Sequence, residues 1–295
     1  MTSPVRDPGA STHAWAKVNL ALHVTGRRPD GYHLLESLVV FPAVGDKIQI
    51  IPSDRITLEI SGPFADALEG PAGDNLAVRA ARAFLDAGKT GATGIQITLE
   101  KNLPVASGIG GGSADAAAVL RLLAAHYPNT VDEQTLLRLA LSLGADVPVC
   151  LASRPAIMTG IGEDLASAPG LPAAGLVLIN PGQSVSTPSV FKALKSAENS
   201  PLPALPAHFD TLTDLVSYMR GARNDLEAAA SDLCPGVTQV LQALNRDPDI
   251  AIARMSGSGA TCFGLCETRA LDAVTARLTA AHPDWWIAGG ALNVN

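Results

Sequence analysis

The sequence predicts an α+β chain, strands interleaved with helices, in two domains. Three observations support this. An alternating strand at Ile95–Leu99 runs into the glycine-rich stretch Gly108-Ile109-Gly110-Gly111-Gly112-Ser113, with strong helix formers behind it. Alternating and amphipathic segments then follow one another along the chain with turn residues between them. Finally, 295 residues suffice for two domains sharing a cleft or for one large one, and composition shifts near residues 153–172. We place the boundary there, giving domains 1–155 and 156–295.

The order strand, glycine loop, helix has a direct chemical meaning. Glycines let the backbone approach a ligand and take positive φ. The helix behind them aims unpaired N–H groups and the positive end of its dipole into the loop. That is an anion site, and phosphate is the usual anion. The loop lacks the Gly-Lys-Ser/Thr ending of a P-loop, and it matches the dinucleotide pattern only loosely. A flexible linker is the bland alternative, but linkers are not normally flanked by a strand and an Ala-rich helix.

Composition narrows the rest. Hydrophobic residues make up 47% and charged residues 17%, a globular balance. The net charge of −7 argues against nucleic-acid binding, so an anionic ligand must be held by local positive groups. Cys150, Cys234, Cys262 and Cys266 lack a metal-ligand spacing and read as buried free thiols. No apolar run is long enough to span a membrane, and Met1–Thr12 lacks a signal-peptide core, so a cytoplasmic protein is expected.

In chain order, residues 13–24 alternate as one strand, with Lys17 and Asn19 of the same parity. They form either a solvated face or the floor of a polar pocket. The turn-rich stretch 25–33 ends in Tyr32 and His33, either a loop anchor or a clamp for a flat ring. Strands are expected at 38–41, 46–51 and 56–60. Asp74 or Asn75 caps a helix to about Ala87. Beyond the glycine loop, an amphipathic helix spans 132–143 and ends at Gly144. Asp146 then stands at the helix exit, as a turn acid or as a cleft-lining base. A turn at 158–163 and a strand at 175–179 lead to a polar loop, 181–191, that enters a helix. Residues 196–209 read as an exposed connection. Helices follow near 210–220, 226–230 and 237–244. The strand from Ala251 runs into Ser256-Gly257-Ser258-Gly259-Ala260-Thr261, a hairpin turn or a second loop closing over phosphates.

Taken together, the chain resembles the GHMP kinase superfamily. The resemblance is carried by Ala16-Lys17-Val18-Asn19-Leu20, Asp30-Gly31-Tyr32-His33, Asp74-Asn75-Leu76, Leu103-Pro104 through Ser113, Leu143 through Pro148, Pro181-Gly182 to Phe191, Arg223 through Glu227, and Met255 through Ala260. These stretches span nearly the whole chain. Gly-Tyr-His and Gly-Ala-Asp-Val-Pro point to the branch acting on a cytidyl diphosphate-linked methylerythritol in non-mevalonate isoprenoid synthesis. The resemblance implies an N-terminal ATP-binding domain similar to the second domain of ribosomal protein S5, and a ferredoxin-like C-terminal substrate domain. It implies transfer of the ATP γ-phosphate, with Mg²⁺, to the 2-hydroxyl of the methylerythritol unit. By the same resemblance Asp146 takes the hydroxyl proton and Lys17 orients the pair. Asn19, Tyr32, His33, Thr187 and Phe191 bind substrate, Tyr32 and Phe191 sandwiching the cytosine. Asn75, Lys101, Pro104, Gly108, Gly110, Gly111, Gly112 and Ser113 bind the nucleotide, and no residue is assigned as a metal ligand. No nucleic-acid or membrane partner is expected, and the state is a monomer or weak homodimer.

The chain departs from the family's pattern at Trp15, where Pro is frequent, and at Ala114 and Asp115, where Ser and Asn are frequent. Asp115 is expected in the first turn of the loop helix, where an acid suits the dipole. The rival readings are another small-alcohol kinase of the superfamily and a non-catalytic nucleotide-binding protein on the same fold. Tyr32 and His33 oppose the first, and the presence of Lys17 and Asp146 opposes the second. A Rossmann dehydrogenase is more distant, since the glycine loop comes too late in the chain.

Overall fold

Alternation in the sequence becomes strands whose apolar side chains line a buried face. A computed structural model describes residues 9–68, 70–88, 91 and 93–292. The chain opens with β1 (Ala10–Trp15), β2 (Val18–Arg27) and β3 (His33–Val40). Next come β4 (Gly45–Ser53), β5 (Thr57–Ser61), α1 (Leu76–Gly88) and β6 (Gly94–Glu100). Three helices follow: α2 (Gly111–His126), α3 (Glu133–Leu143) and α4 (Val147–Ala152). After β7 (Ala156–Thr159), β8 (Asp164–Ser167) and β9 (Gly175–Asn180) come α5 (Thr187–Lys192), α6 (Leu212–Gly221), α7 (Glu227–Leu233) and α8 (Pro235–Arg246). The hairpin β10 (Ile250–Met255) and β11 (Cys262–Cys266) leads to α9 (Leu271–Ala281) and β12 (Trp286–Ala291).

These elements form two compact units. The first takes the described residues up to Ala14, then Gly45–Leu103 and Gly111–Ala152. Its sheet has the order β1-β4-β6-β5, with β4 antiparallel and β5 parallel to β6. Ile48, Ile50, Ile95, Ile97 and Leu99 supply the buried face of this sheet. Helix α2 is buried along most of its length, from Ala114 to Leu120 and again at Leu122 and Leu123. Small alanine side chains let it approach α1, which buries Ala77, Ala80, Ala81 and Phe84.

The second unit takes Trp15–Val44, Pro104–Gly110 and the described residues from Ser153 on. One sheet runs β2-β3-β7-β8; the other runs β10-β11-β9-β12, its neighbours all antiparallel. With helices between β9 and β10 and α9 between β11 and β12, the latter follows the βαββαβ ferredoxin-like order. Its core gathers Val177, Ile179, Val237, Val240, Leu244, Cys262, Val274 and Leu278. All four cysteines are buried, and none forms a disulfide.

The expected single strand at 13–24 is two strands in two different sheets, broken at Ala16-Lys17. Parity therefore does not relate Lys17 to Asn19. The backbone turns there because Ala16 N–H donates to Val44 O and Lys17 N–H donates to Ile109 O. Among the described residues no helix is long and apolar enough to cross a membrane.

Candidate active site

The glycine loop is shaped by its own backbone. Gly108 has φ +78°, and a Cβ there would stand 2.7 Å from the carbonyl oxygens of Ser256 and Gly259. Only glycine fits such a position. The second Gly/Ser loop is the β10–β11 hairpin connection, and it packs on the first: Ser256 Oγ donates to Gly108 O, and Thr261 N–H donates to Ser107 O. Gly257, at φ +56°, faces Gly108 O in the same way. Pro104 is buried, and its carbonyl accepts from Ser107 Oγ at 2.6 Å.

Gly111, Gly112 and Ser113 are the first three residues of α2, so the helix begins inside the glycine run. Gly112 is exposed, and Gly111 and Ser113 are half-buried. Unpaired N–H groups at the start of a 16-residue helix form a donor set suited to phosphate. Asn75 caps the neighbouring helix, its Oδ1 accepting Ala77 N–H at 2.9 Å. Lys101 is 2% exposed, and its ammonium is bound by Asp46 and Asp115. Asp115 lies in the second turn of α2, not the first, because the helix already begins at Gly111; its carboxylate accepts from Lys101. Asp146 is half-buried immediately before α4, and its carbonyl accepts Cys150 N–H as that helix starts.

The second unit groups the other candidates. Lys17 is 5% exposed and Asn19 2%. Ser37 Oγ donates to Ala21 O, so it accepts from Asn19 and fixes the amide with Nδ2 toward Ser37. Asn19 Oδ1 is left buried without a hydrogen-bond partner. His33 begins β3 and stacks on Phe191 of α5, ring centroids 4.8 Å apart. Burial, and then the nearby Arg27, holds the His33 imidazole below its ordinary value. Tyr32 is 61% exposed at the tip of the β2–β3 turn, where Asp30 Oδ1 accepts its N–H. Thr187 Oγ1 lies 2.7 Å from Ser258 Oγ.

Three supporting groups lie outside the expected site residues, although Asn224 and Glu227 belong to the Arg223–Glu227 stretch that carries the resemblance. Asn224 donates to Met255 O and Gly257 O, holding the β10–β11 loop from below. Glu227 accepts Met255 N–H, and burial raises its carboxyl above the ordinary range. Asp46 receives two backbone N–H groups beside Lys101. Among the described residues no cluster of three or more His, Cys, Asp or Glu side chains could cage a metal.

Comparison with known proteins gives the class first. The family model "GHMP kinases N terminal domain" matches residues 75–154, and "GHMP kinases C terminal" matches 202–284. A homoserine kinase from Cytophaga hutchinsonii shares this fold at TM-score 0.69 and 18% identity, covering 99% of this chain and 98% of that one. Nearer relatives are 4-diphosphocytidyl-2-C-methyl-D-erythritol kinases. One from Cereibacter sphaeroides is 52% identical over 276 residues, covering 93% of this chain and 96% of that protein. One from Mesorhizobium japonicum is 49% identical, covering 96% of each. A crystal structure of 4-(cytidine 5'-diphospho)-2C-methyl-D-erythritol kinase superposes at TM-score 0.76 with 34% identity, over 97% of this chain and 100% of that one. The chain belongs to the 4-diphosphocytidyl-2-C-methyl-D-erythritol kinases of the GHMP kinase superfamily.

Proposed function

We propose that the chain phosphorylates the 2-hydroxyl of 4-diphosphocytidyl-2-C-methyl-D-erythritol with ATP, giving the 2-phosphate for non-mevalonate isoprenoid precursor synthesis. A bond forms between the substrate oxygen and the γ-phosphorus as the bond to the leaving ADP breaks. Asp146 accepts the hydroxyl proton, and Lys17 stabilises the charge developing on that oxygen. Such transfer is largely positioning and electrostatics, so one carboxylate and one ammonium suffice. Asn19 offers its unpartnered Oδ1 to a donor on the substrate.

The observation that carries the choice of substrate is the His33–Phe191 stack. It supplies a flat aromatic wall, next along the chain to the exposed Tyr32, suited to a pyrimidine base and without use for homoserine or mevalonate. Tyr32 and Phe191 flank the cytosine, His33 hydrogen-bonds its edge, and Thr187 lines the same pocket. On the nucleotide side, Pro104 and Gly108 to Ser113 enclose the phosphates. Asn75 shapes the neighbouring helix start, and Lys101 supports Gly111 from beneath. Mg²⁺ supplies charge neutralisation when bound with the nucleotide. Among the described residues no group of three or more His, Cys, Asp or Glu side chains could hold it.

We place the domain boundary near residue 155, which the change of unit after Ala152 supports. A cytoplasmic monomer or weak homodimer accords with the acidic, globular composition. The test is a phosphate-transfer assay with ATP and Mg²⁺, offering diphosphocytidyl-methylerythritol beside homoserine, mevalonate and methylerythritol phosphate. Turnover of the cytidyl compound alone is expected. Turnover of another alcohol in its place would discard the ring clamp, and silence on all four with ATP still bound would favour a non-catalytic protein.

A further inference from the structure

Three ionisable side chains lie out of water beside the start of α2, and the chemistry above uses none of their protons. Lys101 is 2% exposed, Asp46 0% and Asp115 3%. Lys101 Nζ donates to Asp46 Oδ2 at 2.5 Å and to Asp115 Oδ2 at 2.9 Å. Asp46 Oδ1 accepts the backbone N–H groups of Asn102 and Leu103, the last residues before the glycine loop, at 2.6 and 2.8 Å. Asp115 sits one turn past the loop's other end. Lys101 Nζ lies 3.1 Å from where a Cβ on Gly111 would stand. One carboxylate thus fixes the approach to the loop, the other its exit, and the ammonium ties them together.

The charges in this cluster do not balance: two carboxylates face one cation. Asp115 Oδ1 is buried with no hydrogen-bond partner, so the carboxylate is compensated only through Oδ2, by an ammonium it shares with Asp46. Burial first, with Asp46 adding to it against the pull of Lys101, pushes the Asp115 carboxyl up to about 7. Lys101, although burial pulls it down, is carried above its ordinary value by the Asp115 and Asp46 carboxylates. The charged groups in contact with Asp115 are Lys101 and Asp46. Of the elements packed against α2, α1 carries Arg79, Arg82 and Asp86, α3 carries Glu133 and Arg138, β4 carries the exposed Lys47, and α4 carries Cys150.

We propose that Asp115 is a positioning residue of the nucleotide-binding loop: with Lys101 and Asp46 it fixes the loop's two ends, and its charge, present or absent with pH, sets how firmly the loop holds an anionic phosphate. Ionised, the cluster carries one net negative charge beside an anion site and weakens it. Protonated, it is neutral. The inference rests on reading the glycine loop as the ATP site.

The experiment is calorimetric titration of the full chain with ATP and Mg²⁺ at pH 6, 7 and 8, for the wild type and for Asp115→Asn, which keeps the shape without the charge. Titration of ATP itself is common to both proteins. The wild type is expected to lose roughly three- to tenfold more affinity than the variant between pH 6 and 8. Parallel pH curves, with ATP bound well by both, would overturn the inference alone. No ATP binding by the wild type at any pH would overturn the nucleotide reading with it. Should the variant not fold, aspartate ¹³Cγ NMR of the wild type decides: a carboxyl titrating near 7 that moves upward when ATP binds is expected. The absence of such a resonance, or its indifference to ATP, would refute the proposal.

Discussion

At the scale of single residues, the proposed chemistry rests on two side chains, Asp146 and Lys17. Asp146 stands before α4 and Lys17 at the break between β1 and β2. Asp146→Ala is expected to lower kcat by about 10²- to 10⁴-fold, the usual contribution of a positioned base, while ATP affinity stays near wild type. Steady-state kinetics beside a nucleotide titration checks this, and near-normal turnover would remove Asp146 from the role. For Tyr32→Ala the loss falls on substrate affinity. Aromatic stacking contributes about 0.5–1.5 kcal/mol beyond burial, so KM for the cytidyl substrate rises roughly three- to tenfold with kcat little changed. An unchanged KM would leave Phe191 and His33 as the whole of the aromatic wall. Asn75 was legible in the sequence, because an Asx residue before a run of helix formers has one natural use, and its Oδ1 does cap α1. The Asp46–Lys101–Asp115 cluster was not. Its members are 55 and 14 positions apart, and nothing local marks a lysine at a strand end as fully buried.

Among secondary-structure elements, the two glycine-containing loops work as a pair. The β10–β11 loop rests on the glycine loop through Ser256 and Thr261, and Asn224 supports it from below. Asn224→Ala strands the buried carbonyls of Met255 and Gly257 and removes the acceptor of Leu226 N–H. A cost of about 1–3 kcal/mol in stability is expected, read as a lower urea midpoint at unchanged slope. The strand–loop–helix order around Gly108 could be read directly, since alternation, glycine clustering and helix propensity change one after another along the chain. Other elements could not. The β1–β2 break depends on Ala16 reaching Val44 and Lys17 reaching Ile109, contacts that leave no periodic trace. Helix α4 is six residues long with a proline in it, and β12 carries Gly289 and Gly290, so propensity speaks against both.

For the molecule as a whole, the buried cluster links stability to pH. The Asp115 carboxyl sits near 7 in the folded chain against an ordinary 3.8. Between those values the native state keeps a proton that the unfolded chain has released, so stability from this group falls as pH rises through that window and levels above it. Asp115→Asn removes the term. The variant's Tm relative to wild type should therefore increase from pH 5 to pH 8, as measured by differential scanning calorimetry. A gap that narrows or stays constant would contradict the raised value. The passage of the chain between its two units bears on a different matter, heredity. It changes unit after Ala14, Val44, Leu103, Gly110 and Ala152. A recombination joining two related genes at one crossover near codon 155 would pair a β3 from one parent with a β7 from the other, since those strands are hydrogen-bonded neighbours. Viable hybrids of this enzyme should therefore arise between near relatives, or where the exchanged segments follow the five seams instead of the midpoint of the gene.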